Sequence, residues 1–536
     1  MKKKKKKKIT PKHLPAKGTP AKNHVSPVAI LLMGVLATYF GYICYLNLSC
    51  TPSFYCTDMY SDILYSVRAW ESKSLFPDGW VFGNQLYVIA TPVLASLVYG
   101  IIGNPAQAMA IATILMTLGI FFSYLWMMKP VFPRLEDRLI GLIALVALTA
   151  YCGDAIYKIK GWQLFFTLCS YYACYLITAF LCFGCFLRRR EKVTTSLLIL
   201  FGISVVLSFG AGIQSLRQTA VMVIPMLVLE GVSQIVSLVR TKRLELQPLV
   251  VTGSLSLANL LGLVTVKLLN VPRNEIFTST ELLKKDEIPE AVNKSLTTLM
   301  ELLTDKAHYG YLFLMGVVIL TIAILQSKYR KDSAPEGWGV LVSLFTVSVL
   351  GILAIDMFTK MSVRSIYYFM MLPLVSLLPV YAYRRWRLGK VFALLLLAML
   401  VVGSFKNAIL PATETAKNAS TNASYEISET LIEKGYTTIY SGWNQSEDIA
   451  IASGGKITAG FWNQSKDVFN PVMYLCDPSI YEVDPSQCVY YLRKDNKDIA
   501  LQKAAERGVT MTLVAEYPKW GIWFYEASEN LMTPAE

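Results

Sequence analysis

Apolar runs of about 16–24 residues recur from Val28 to Val402, and beyond them the chain turns polar. Runs of that length suit helices crossing a hydrocarbon layer about 30 Å thick. In lipid a helix also satisfies its own backbone N–H and C=O groups, which an open chain cannot do. The strongest candidate spans are 27–48, 105–128, 139–152, 164–187, 194–210, 217–239, 248–269, 309–327, 338–356, 365–383 and 390–406. Only 16% of the 536 residues are charged, against roughly 25% in soluble domains. The pattern predicts an α-helical polytopic membrane protein with about eleven transmembrane helices over 27–406. A small extracytoplasmic α/β domain over 407–536 completes it.

Charge placement orients these spans. The net charge of +14 is dominated by the tail, where ten lysines fall in the first 22 residues. A tail with so little to bury stays disordered, so residues 1–26 read as a polybasic cytoplasmic segment that meets anionic lipid rather than nucleic acid. The apolar run after it is long enough to span and has no small-residue cleavage site, which excludes a signal peptide. Basic clusters at Lys129–Arg138, Arg188–Lys192, Arg240–Arg243, Lys328–Lys331 and Arg384–Lys390 belong in the cytoplasm by the positive-inside rule. They stay there only if the apolar segment Leu86–Ile102 does not cross. We therefore expect it to lie in the outer interface as a juxtamembrane or re-entrant helix.

This topology gathers polar chemistry on the outer side. The first outside loop holds Asp58 and Asp62, four apart and on one face if the segment is helical. A carboxylate there suits general-base chemistry on a hydroxyl, while Thr57 or Asp58 equally suits a helix cap. The second loop carries Asp154, Lys158 and Lys160, read as phosphate partners or as ordinary solvated charges. Arg217, with Gln214 and Gln218, enters an apolar helix at its outer end. It either snorkels to the interface or holds a lipid phosphate. Lys360 and Arg364 precede Tyr367 and Tyr368 and read as interface anchors or as a second phosphate contact. A base and several cations on one membrane face suit transfer of a sugar from a lipid phosphate carrier, with the cations stabilising the departing phosphate.

The order of features also resembles the GT-C superfamily of membrane glycosyltransferases. An inside tail and one span lead to an outside loop with Asp58 and Tyr60, then Pro77 and Trp80, then a segment opened by Leu86-Tyr87 and ended by Gly103. The later stretch SVRSIYYFMMLPL is similar to a span of its bacterial members. The resemblance covers roughly 27–405 through short motifs. It implies a polyprenyl-phosphate-sugar donor, a glycan or lipid acceptor in the cell envelope, and inverting transfer in a multi-pass cell-membrane protein. It implies Asp58 as catalytic base with Asp62 as the alternative, and Arg217 and Arg364 as donor-phosphate contacts. Some relatives need a divalent ion, for which Asp58 and Asp62 are the carboxylates on offer. Met59 stands where many members have Glu, and Lys158 and Lys160 stand where several have a histidine.

The remaining features are less specific. Alternation in TTIYSGW, GKITAGFW and VYYLR, with helical patterning in EISETLIEKG and DIALQKAAERG, predicts the C-terminal α/β fold. That domain reads as an acceptor selector, a lid or a structural cap. Cys50 with Cys56 and Cys476 with Cys488 are local pairs in an oxidising-compatible location, open to disulfide formation or not. Two rival functions stand beside transfer: a flippase for a lipid-linked glycan, which needs polar residues through the bilayer centre, and a non-catalytic scaffold.

Overall fold

The computed structural model describes residues 26–151, 161–274, 278–304, 315–323, 337–361, 365–385, 387–419, 422–463 and 467–532. Helix α1 (Pro27–Leu48) starts where Ser26 caps it, its hydroxyl accepting from the Ala29 amide, with Pro27 in the first turn. After α1 come α2 (Thr57–Ser72), α3 (Thr91–Ile102), α4 (Pro105–Met128), α5 (Leu135–Leu148) and α6 (Ala173–Leu187). Next are α7 (Thr195–Gln214), α8 (Leu216–Thr241) and α9 (Leu246–Leu268), then α10 (Ile288–Thr304), α11 (Trp338–Phe358), α12 (Met371–Arg385) and α13 (Leu388–Lys417). Among the described residues seven helices are long and apolar enough to cross a membrane: α1, α4, α7, α8, α9, α11 and α13. The shorter α5, α6 and α12 and a helical stretch at 315–323 fall at the other expected positions.

Large apolar side chains point outward along α7, α8, α9 and α13, among them Val206, Val239, Val264 and Met399. Contiguous exposed apolar faces of that extent need lipid to cover them. Inside, α7 and α9 touch backbone to backbone. A Cβ on Gly212 would lie 2.0 Å from the Asn259 carbonyl oxygen, and one on Gly262 would lie 2.2 Å from that of Phe209. Asn259 secures this crossing, donating to the Ser208 carbonyl (3.0 Å) and accepting from the Thr219 hydroxyl (2.7 Å).

Basic clusters converge at one end of the bundle. Ser26 donates to Glu136, Arg189 pairs with Glu230 at 2.6 Å, Arg190 pairs with Glu245 at 2.5 Å, and Arg384 pairs with buried Asp137 at 3.3 Å. Lys328–Lys331 lies outside the described residues. At the opposite end, α3 packs along α2 and α4. Its twelve residues reach about 18 Å at 1.5 Å per residue, well short of the hydrocarbon core, and Gly103 stops it in a left-handed conformation (φ +69°). Leu97 and Ile101 on it are exposed. The segment expected to stay in the interface thus forms a helix too short to cross by itself.

Three expected helices have different bounds. Residues 164–172 do not form the first half of a span, because Asn47 holds a tight turn there. Its side chain accepts from the Leu168 amide (2.7 Å) and donates to the Phe166 carbonyl (2.9 Å), while Leu168 and Ser170 take positive φ. The helix expected from 365 opens instead as a 3₁₀ turn, Ser365–Tyr368. The last helix continues to Lys417 through a π segment, Phe405–Ile409.

A two-stranded ribbon joins β1 (Thr278–Leu282) to β2 (Thr359–Met361). Beyond α13 lies a five-stranded sheet of β3 (Thr438–Gly442), β4 (Thr458–Trp462), β5 (Cys488–Arg493), β6 (Met511–Tyr517) and β7 (Ile522–Ala527), in the order β4-β3-β5-β7-β6. The β3 strand runs parallel to β4 and β5, and β7 runs antiparallel to β5 and β6. Helices at Ala423–Glu433, Glu447–Ala452 and Lys497–Glu506 flank it, giving the α/β character expected from alternation. Cys50, Cys56, Cys476 and Cys488 remain thiols, so neither local pair is bridged.

Candidate active site

The site is built around α2. Its N-terminal backbone group is satisfied from far along the chain. The Thr57 amide donates to the Asn444 side-chain oxygen (2.9 Å), and the Thr57 hydroxyl accepts from the Asn444 amide (2.8 Å). The capping residue itself is Cys56, which makes no side-chain cap. The expectation that Thr57 or Asp58 caps this helix is therefore corrected: a residue of the C-terminal domain supplies the cap. The same domain grips the helix again where the Ala459 amide donates to the Tyr60 hydroxyl (3.0 Å). Asp58 sits in the first turn, half-buried, where the unsatisfied N–H groups of the helix favour negative charge.

Asp62, one turn on, lies in different surroundings. It is 1% exposed and accepts a hydrogen bond from the Tyr87 hydroxyl at 2.5 Å. Burial pushes its carboxyl well above the usual range, against the Tyr87 bond, and nearby Asp58 pushes the same way. Tyr87 is fixed by edge contacts with Tyr65 and Phe82. A raised folded-state pKa means that the folded chain binds the proton more tightly than the unfolded chain, whose Asp titrates at about 3.9. This contribution to stability is full below the unfolded value and is lost as pH rises through the folded value. Asp62→Asn is expected to flatten that acid-side dependence of the melting temperature and to leave catalysis within a factor of a few. Melting curves across pH, with turnover of the same preparation, check this; a loss of turnover equal to that of an Asp58 variant would contradict it.

From Asp62 a chain of contacts runs on to Arg217. The Val88 and Ile89 amides, next to Tyr87, donate to the Gln214 side-chain oxygen (3.3 and 3.0 Å). Gln218 donates to the Tyr175 carbonyl (3.1 Å), and the Tyr175 hydroxyl donates to Gln85. Arg217 is ringed by tyrosines, with its guanidinium carbon 3.7 Å from the Tyr367 ring centre, 5.4 Å from Tyr172 and 5.9 Å from Tyr175. Its Nε is buried without a hydrogen-bond acceptor among the described residues.

Two consecutive residues join the acidic and cationic halves. Tyr171 has a buried hydroxyl with no hydrogen-bond partner among the described residues; burial, and after it the charges of Asp62 and Asp58, disfavour its ionised form. Tyr172 faces Arg217. Both follow the Asn47-held turn, and the sequence reading missed them because they fall in an apolar run assigned to a spanning helix. The run SYYACY was the available signal.

Lys158, Lys160, Arg364 and Asp154 lie outside the described residues. Tyr367, three positions after Arg364 in sequence, is at Arg217. Among the described residues no three His, Cys, Asp or Glu side chains gather as metal ligands. Asp62 is moreover buried and committed to Tyr87, so Asp58 and Asp62 do not fit a shared divalent-ion site.

No protein-family model matches the sequence, and no curated protein matches it. Solved structures do. ArnT from Cupriavidus metallidurans bound to undecaprenyl phosphate is 12% identical, with a TM-score of 0.51 over 94% of this chain and 99% of that one. The apo state of the same protein is 10% identical, with a TM-score of 0.52 over 95% and 100%. At such identity the likeness speaks for the fold.

Proposed function

We propose that this chain, which has the GT-C fold, is a glycosyltransferase moving a sugar from a polyprenyl-phosphate carrier to an acceptor outside the cytoplasm, with Asp58 as general base. The observation that carries the reading is the Tyr171–Tyr172 pair. Tyr172 faces Arg217, and Tyr171 beside it lies in the field of the α2 carboxyls, which supports one site holding both Asp58 and the aromatic-ringed arginine. Asp58 accepts the proton of the acceptor hydroxyl as its oxygen attacks the anomeric carbon. The bond from that carbon to the phosphate oxygen breaks, and the lipid phosphate leaves with the electron pair. Arg217 stabilises the charge that grows there; by resemblance Arg364 joins it, and Lys158 and Lys160 are further phosphate partners on the ground of their charge in the second outside loop. A single displacement inverts the anomeric centre. Asp62, whose neutral form burial favours, holds α2 against Tyr87.

The ArnT structure contains undecaprenyl phosphate, which supports a lipid phosphate of this class as the partner. Orientation follows from the basic end of the bundle, which the positive-inside rule places in the cytoplasm, leaving α2 and the C-terminal sheet outside.

Reconstitution tests this. Proteoliposomes given an undecaprenyl-phosphate sugar labelled in the sugar, with envelope extract as acceptor, are expected to release undecaprenyl phosphate and move label to the extract. Label crossing the bilayer on intact carrier would support the flippase reading. Binding of carrier without cleavage or movement would support the scaffold.

A further inference from the structure

A concavity lies beside α2, along a stripe turned away from Asp62. At 100° per residue, Ser61, Leu64, Arg68 and Glu71 form a stripe turned well away from Asp62, and all four line a cleft of about 350 Å³ against the C-terminal domain. That volume falls in the range of small-molecule sites, about 300–1,000 Å³. Trp80, Trp443, Tyr474 and Asp477 line it as well. The rim is built, with Val81 and Cys476 exchanging backbone hydrogen bonds (2.8 and 3.3 Å), and Asn274 donating to the Met473 carbonyl (2.7 Å). Gly83 lets the Tyr474 ring come close, since a Cβ there would meet it at 2.6 Å.

The lining is mixed in a particular way. Trp443 and Tyr474 offer aromatic surface, their rings 6.1 Å apart. Arg68 pairs with Asp477 at 3.0 Å across the cleft, and both remain partly exposed. Glu71 is exposed nearby. Trp80 is 1% exposed, and its indole Nε1 has no hydrogen-bond partner among the described residues. Buried donors normally have a partner; Trp162, Trp338 and Trp462 also carry an unpartnered indole N–H among the described residues, and of the four only Trp80 lines this cleft. Flat aromatic surface beside a carboxylate–guanidinium pair and an unsatisfied N–H matches a pyranose, which presents an apolar ring face and an equatorial belt of hydroxyls. A peptide fits less well. The rim backbone at Val81 and Cys476 is already paired, so it offers no strand edge to extend.

We propose that this cleft is a saccharide-binding site holding the glycan part of the acceptor, beginning at Ser61, about one helical turn from Asp58, and running along α2 to Glu71. Binding stands on the cleft alone, whereas the acceptor role rests on the transferase reading above. The full chain in nanodiscs is titrated with gluco-, manno-, galacto- and N-acetylglucosamine-configured trisaccharides, using saturation-transfer NMR. At least one is expected to bind with Kd of about 1 mM or tighter. Trp443→Ala is expected to weaken it about tenfold or more, and the surface variants Arg68→Gln and Glu71→Gln several-fold each, with native melting. Asp58→Asn is expected to bind as wild type. Absence of saturable binding by all four sugars overturns the site, as does binding indifferent to the two surface variants. Saturable binding of a ten-residue Ser/Thr-rich peptide in place of the sugars also overturns it. If sugar binding fails while transfer in proteoliposomes persists, the cleft assignment falls and the transferase reading stands.

Discussion

Asp58→Asn is expected to lower transfer by about 10²–10⁴-fold, the usual worth of a positioned general base, with the protein folded and inserted as before. An amide keeps the size and polarity of the carboxyl but cannot take the acceptor's proton. The helix should survive, because its N-terminus is held by Asn444 and not by Asp58. Label transfer in proteoliposomes at matched protein, with the melting temperature alongside, reads the result. Undiminished turnover would remove Asp58 from the chemistry. The contrast with Asp62→Asn sharpens the test: an asparagine there still accepts from Tyr87 and lacks the charge that burial disfavours.

Arg217→Ala is expected to cost about 10²–10³-fold in kcat, the scale on which one preorganised charge stabiliser acts. That corresponds to about 2.7–4 kcal/mol on the barrier. Losing the cation from above Tyr367 would cost about 0.5–2 kcal/mol of stability, so the catalytic loss exceeds the structural one. Arg217→Lys keeps the charge without the planar donor fork and should fall between. Protection of the folded chain by undecaprenyl phosphate in a melting assay should weaken in the same order. A large fall in melting temperature with kcat intact would mark Arg217 as a structural anchor for the tyrosine ring.

Much of this protein was legible in its residues. Apolar run lengths and the spacing of lysine and arginine clusters pointed to most of the helices, to a short α3 and to the change to an α/β domain, because lipid leaves a chain few ways to satisfy its backbone. The acidic first loop and Arg217 were visible as polar chemistry in apolar surroundings. Tyr171 and Tyr172 were not, since a tyrosine in an apolar run reads the same whether it anchors a helix or packs against an arginine in a turn. Only Asn47, more than a hundred residues earlier, bends that run into a turn.

What the order of amino acids determined by itself was local and compositional: which segments are apolar enough for lipid, and which carry charge. What tertiary packing decided was the difference between like residues. Asp58 and Asp62 are the same side chain one turn apart on one helix. Tyr87 closes over the second and Asn444 fixes the start of the first turn. The proton affinity of a carboxyl is set by the water and dipoles around it, and those are supplied by chain segments that only folding brings near.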